Sequence, residues 1–303
     1  MRFAITGSSG LIGSALVRSL LADGHEVVRL VRREVRPGPR ADGSTESGWD
    51  PNRQWVDTAG LAGVEAVVHL AGAGVGDRRW TESYKREIRD SRVLGTSALA
   101  EACAQLETPP RVLVSASAVG WYGQTGDREI DELSPPGRDF LARVCVEWEE
   151  SAAPAAEVGV RVVHPRTGLV VSERGGAFGR LFPLFKAGLG GRLGDGRQYW
   201  SWISLRDEIA ALRFLVENEA MEGPVNLTGP APVTNGELTK ALGRVLGRPT
   251  LFAVPGPALK LALGEMAVEV IGSHRVLPRR LAEAGFRFAD TSPESAIRAA
   301  LGR

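Results

Sequence analysis

Cysteine is scarce in this 303-residue chain: there are two, Cys103 and Cys145. A single distant pair gives neither a secreted disulfide framework nor a metal-ligand spacing, so no metal site is expected. Charge of one sign is missing as well. The formal net charge is +1, which excludes a bulk electrostatic pull toward nucleic acid or an anionic membrane. No apolar run is long enough to cross a bilayer. The apolar start is interrupted by Arg18 and Asp23 and lacks a basic leader, so it does not read as a signal peptide. There is no internal repeat and no low-complexity segment. These absences leave a cytoplasmic protein, monomer or homodimer, with a small-molecule partner as the expectation.

What is present is alternation. "RFAIT" reads as a buried strand. The helical stretch "LIGSALVRSLLADG" follows, with Leu11, Ile12, Ala15, Leu16, Ser19 and Leu20 on one face. "HEVVRLVRR" is a second strand, and Glu34 to Gly48 reads as an exposed loop. "EAVVHLAG", "RVLVSASAVGWYG" and "VRVVHPRTGLVVS" are further strands, with helices in "SYKREIRDSRVLGTSALAEACAQL" and "RDFLARVCVEWEESAAPAAEVG" between them. The pattern predicts an α/β fold: a Rossmann-type, doubly wound parallel sheet over residues 1–172. Residues 173–303, richer in glycine and proline, form mainly a smaller C-terminal lobe, and parts of 173–230 complete the sheet. Helices are expected there at Arg206–Glu219, Asn235–Leu246, Pro257–Ile271 and Ser292–Leu301.

Between the first strand and first helix lies "TGSSGLIG", with Gly7, Gly10 and Gly13 three apart. Such a loop allows a tight turn, close approach of a pyrophosphate and close helix packing, with free N–H groups aimed at phosphate. A dinucleotide site usually has an acidic residue about 20 positions on, for a ribose hydroxyl. Here Arg32 and Arg33 stand at the end of the second strand, and guanidinium groups suit a 2′-phosphate. The expectation is NADP(H) rather than NAD(H).

Longer strings carry a resemblance. "TGSSGLIG", "AVVHLAG" and "SASAVGWYG" resemble the strand ends of the extended short-chain dehydrogenase/reductases. "RWTESYKREIRDSRVLGTSAL", "GGRLGDGRQYWSWISLRDE" and "VLPRRLAEAGFRF" are similar to its atypical, YfcH-like epimerase family, with a small domain from about Val254. The resemblance implies NADP binding through Thr6, Gly7, Ser9, Gly10, Leu11, Ile12 and Gly13 of the phosphate loop. It also implies roles for His69, Leu70, Ala71 and Gly72, for Ser115 and Ala116, and for Arg166, Thr167 and Gly168. The superfamily's proton-transferring Tyr-x-x-x-Lys pair is absent. None of Tyr84, Tyr122 and Tyr199 has a lysine four residues later, and Phe140 and Val144 are the nearest counterparts. Arg92 replaces the family's asparagine. Ser117 and Tyr122 are left as candidate catalytic residues, and Glu147 and Glu149 read as solvated. Tyr199, Trp200 and Trp202 either wall an apolar pocket or belong to the core. The reading is an NADP(H)-dependent oxidoreductase acting on a small, fairly apolar carbonyl compound. A non-catalytic NADPH-binding protein is the alternative, and a nucleotide-sugar epimerase a weaker one.

Overall fold

A computed structural model describes residues 1–303. Its centre is a nine-stranded, mostly parallel sheet. The main elements are β1 (Arg2–Thr6), α1 (Leu11–Ala22), β2 (Glu26–Val31), β3 (Thr45–Asp50), β4 (Trp55–Val56), β5 (Ala66–His69), α2 (Glu82–Gln105), β6 (Val112–Ser115), α3 (Phe140–Glu150), β7 (Arg161–Thr167), α4 (Leu205–Glu217) and β8 (Gly223–Leu227). The strand order is β8-β7-β6-β5-β1-β2-β3-β4, and the two-residue strand Ser117–Ala118 extends the pairing along β7. Only β4 runs antiparallel.

The chain leaves β1 for β2 on one side and returns to β5 on the other. The sheet's order therefore reverses between β1 and β5, and that crevice is where ligands bind in open α/β sheets. Both faces are covered. On one, Phe3 and Ile5 pack with Leu16, Val17 and Leu20 of α1 and Leu212 and Leu215 of α4. On the other, Ala4, Val28 and Leu30 meet Leu99 and Cys103 of α2. A third core joins Phe178, Phe182 and Phe185 to Trp202, Leu242 and Ile297. No helix is long and apolar enough to cross a membrane.

Three local readings of the sequence need correction. The segment expected to be an exposed loop contributes β3, whose Trp49 and Ser47 are buried. The side chain of its Glu46 is covered by Arg33 and Arg40, and the strand, TESGWD, carries no apolar alternation. The helix expected over Pro257–Ile271 is two, Gly256–Leu263 and Ala267–Ile271. Gly264 breaks it, with φ +63° and Arg79 packed where a Cβ would sit. The strand through Gly168 is interrupted there: the Ser201 carbonyl oxygen lies 2.3 Å from the position a Cβ would take.

Candidate active site

The loop after β1 is built around missing side chains. Gly7 has φ +61°, and a Cβ there would lie 2.7 Å from the Leu70 carbonyl. A Cβ on Gly13 would lie 2.2 Å from the Gly7 oxygen, so helix and loop are in backbone contact. The Gly10 N–H donates to the Gly7 carbonyl (2.9 Å) and closes the turn. Gly10 caps α1 without a side-chain bond, and the N–H groups of Leu11, Ile12 and Gly13 have no backbone acceptor. The turn thus presents a row of unspent donors at a helix N-terminus, which favours negative charge. Ser9 is exposed beside it, while Ser8 is buried.

Thr6 ties this loop to the end of β5. Its Oγ1 accepts the N–H groups of Leu70 (3.0 Å) and Ala71 (3.2 Å), and it lies 2.7 Å from His69 Nδ1. With both acceptor positions used, the hydroxyl proton goes to Nδ1, and the imidazole is neutral. Burial, and then the charge of Arg92, push the His69 pKa down to about 3. His69 is therefore no proton carrier near neutral pH. Gly72 continues from this segment with Arg92 packed against it.

At the end of β2, Arg32 and Arg33 are exposed. Arg33 donates to Glu46 Oε1 (2.5 Å), whereas Arg32 makes no hydrogen bond or ion pair. The sequence reading missed Arg29. Its Nη1 donates to the Ser8 carbonyl (3.0 Å) and its Nε to Ser44 Oγ (2.8 Å), so β2 braces the glycine loop directly.

Ser115 is buried at the end of β6, and the Ala116 N–H donates to the His69 carbonyl (3.0 Å). Behind them is a buried polar network. Ser117 Oγ donates to Glu149 (2.6 Å), and Arg166 grips the same carboxylate with Nε and Nη2, each at 2.8 Å. Arg166 also stacks on Trp121 at 3.7 Å and donates to the Tyr122 hydroxyl (3.0 Å), which in turn donates to Asn226 (2.7 Å). Glu149 is thus not solvated. The strand end carrying Arg166 lies against this face of α3, a contact made by packing. Burial pushes the Tyr122 phenol up to about 12 even beside Arg166. Thr167 Oγ1 donates to Glu208 (2.9 Å), a fully buried carboxyl on α4.

In front of the network is a cleft of about 860 Å³ at the strand ends. Ala118, Val119 and Gly120 form one wall, and Leu141, Cys145 and Trp148 of α3 form another. The C-terminal segment closes it with Leu259, Leu263, Met266 and Glu269. Neither Ser117 nor Tyr122 lines it. Trp200 does, but it also packs in the third core with Trp202, and Tyr199 lies under Arg275. On α3 the pair nearest Gly120, four residues apart, is Leu141 and Cys145; Phe140 packs instead against Trp80. Burial pushes the Cys145 thiol up to about 12. Glu269 is the group in the cleft poised near neutrality: burial, and then the charge of Asp139, push it up to about 7.

Comparisons with known proteins agree with this architecture. The profile described as the NAD dependent epimerase/dehydratase family matches residues 3–227, and a domain of unknown function, DUF1731, matches 254–300. The chain is 48% identical over 286 residues to an epimerase family protein of Mycobacterium bovis, covering 94% of this chain and 92% of the relative. It superposes on the human epimerase family protein SDR39U1, crystallised with NADPH, with a TM-score of 0.88 and 30% identity over the full length of both. A Corynebacterium glutamicum structure described as a nucleoside-diphosphate sugar epimerase gives a TM-score of 0.80 at 37% identity. The match covers all of this chain and 58% of that one. The chain belongs to the NAD dependent epimerase/dehydratase family.

Proposed function

We propose that the protein binds NADP(H) in the glycine loop and reduces or oxidises a small, fairly apolar carbonyl compound in the adjoining cleft. The observation that carries this reading is the loop itself: two glycines that tolerate no Cβ, three unspent N–H donors, and a full-length human relative crystallised with NADPH. Bound there, the dinucleotide supplies or accepts hydride. The N–H groups of Leu11, Ile12 and Gly13 hold the pyrophosphate, with Ser9 beside them. Arg32, which has no protein partner, holds the 2′-phosphate, with Arg33 adding charge. Leu70, Ala71 and Gly72 flank the dinucleotide on one side, and Ser115 and Ala116 on the other.

The polar network supports a positioning role for several of the remaining residues. Ser117, Tyr122 and Arg166 hold the strand ends in register behind the cleft, through Glu149 and Asn226. Thr167 and Gly168 shape its floor. The proton comes from Glu269, whose raised pKa lets it hold a proton near neutral pH and release it to an oxygen. The locked Tyr122 hydroxyl and the absent Tyr-x-x-x-Lys pair favour a second reading, a non-catalytic NADPH-binding protein.

The deciding experiment has two parts. Fluorescence titration measures NADPH and NADH affinity for the wild type and Arg32→Ala, with tenfold or greater loss of NADPH selectivity expected in the variant. Single-turnover incubation with 4-deuterated NADPH and a panel of apolar aldehydes, ketones and enones then looks for label in product. Absence of NADPH binding sinks both readings. Tight binding without transfer of label to any compound favours the non-catalytic one.

A further inference from the structure

Arg92 is a cation without a counter-ion. It sits in the middle of α2 and is packed against Gly72 and the cleft. Its Nη1 donates to two carbonyl oxygens, Ala73 (3.0 Å) and Ile88 (2.9 Å), and its guanidinium lies 5.0 Å from the Trp148 ring. No carboxylate comes within ion-pair distance. Two basic neighbours on the same helix differ: Arg89 pairs with Glu147 and Asp90, and Lys85 with Glu82 and Glu265.

Arg92 is half-buried, and for a charge partly withdrawn from water two carbonyls and a ring face offset only part of the cost. Acidic groups at the cleft are committed elsewhere or held off. Asp77 pairs with Arg180 and Glu173 with Lys186, and Glu269 makes no ion pair with Arg92. Arg92 Nη2 and Nε make no protein hydrogen bond, and they are the two donors of a guanidinium edge that match the two oxygens of a carboxylate.

We propose that Arg92 is the anchor for a carboxylate on the substrate, so that the cleft takes a carbonyl-bearing carboxylic acid with an apolar body. The apolar portion would lie against Leu141, Leu259, Leu263 and Met266, which offer no hydrogen-bonding side chains. Arg174 and Arg180 also line the cleft; Arg180 pairs with Asp77, and Arg92 is the guanidinium set beside Trp148 against the apolar wall. The inference rests on the oxidoreductase reading only for the carbonyl; the carboxylate site stands on Arg92 itself.

The test uses 3-phenylpropanoate and its neutral isostere 3-phenylpropanamide, titrated by ligand-observed NMR into the full chain with and without NADP⁺. Wild type is expected to bind the carboxylate at least tenfold more tightly than the amide. Arg92→Met is expected to bind the two alike, and Arg92→Lys to retain part of the preference. NADPH affinity, measured on the same variants, should change less than twofold. Equal binding of the two probes by wild type overturns the proposal whether or not any variant folds. So does an Arg92→Met protein that keeps the carboxylate preference but loses NADPH affinity, because Arg92 would then serve the dinucleotide. A protein that fails to bind NADPH defeats the proposed function, yet the probe comparison in the unliganded chain still decides the carboxylate site.

Discussion

Replacing Glu208 with Gln should reverse part of the protein's pH dependence of stability. Glu208 is fully buried in the first turn of α4, where Thr167 Oγ1 donates to its Oε1 and Oε2 has no partner. No cation pairs with it, and burial pushes its pKa from an ordinary 4.5 up to about 8. The folded pKa lies above the unfolded one. The stabilisation from keeping the proton is therefore complete below about 4.5 and lost as the pH rises toward 8. Between those values the loss runs at about 1.4 kcal/mol per pH unit. From pH 5 to pH 8 the wild type should shed about 3.5 kcal/mol through this one carboxyl. Gln keeps the acceptor for Thr167 and cannot ionise. Urea unfolding of both proteins at half-unit pH steps isolates the effect, because Glu269 and every other titrating group cancel in the difference. The variant's advantage should grow across that interval and level off above pH 8. A difference that stays flat with pH would refute the argument, since it would mean that Glu208 ionises as easily in the fold as in the unfolded chain.

Three further outcomes are expected. Gly13→Ala places a methyl 2.2 Å from the Gly7 oxygen, so NADPH affinity should fall at least tenfold in a fluorescence titration; an unchanged Kd would show that the loop relaxes freely. Glu149→Gln leaves the Arg166 charge buried without its bidentate partner and should cost about 3–5 kcal/mol in urea unfolding, and a loss under 1 kcal/mol would contradict the pairing. Burial pushes both thiols, Cys103 and Cys145, up to about 12, so iodoacetamide at pH 8 should label neither in the folded protein and both in urea.

The sequence was legible where one local pattern fixes one local structure. The turn from β1 to α1 is such a place, because glycine spacing, strand and helix periodicity agree within a short span. β3 was not, since its strand is stabilised by Arg33 and Arg40 on Glu46 and not by alternating apolar residues. Glu149 was misread for a similar reason. On a helix of mixed polarity a carboxylate looks solvated, and only the packing of β7 brings Arg166, 17 positions away, onto it. Arg29 reads as an ordinary mid-strand charge, and its hold on the Ser8 carbonyl emerges only when two strands lie side by side. Arg92 was visible as a departure from the family's asparagine, but its lack of a counter-ion was not. That depends on where every nearby carboxylate ends up.

The C-terminal wall of the cleft has a consequence for the order in which the protein is made. The glycine loop and its clasp by Thr6 need only residues up to about Ala71, so these parts leave the ribosome well before the far wall of the cleft. Leu259, Leu263, Met266 and Glu269 emerge late. They are held by the pairing of Arg275–Val276 with Glu129–Ile130 and by the bond from Asn226 to the Leu277 carbonyl. A chain cut short by a premature stop before residue 256 would thus keep the glycine loop and lack the C-terminal wall of the cleft.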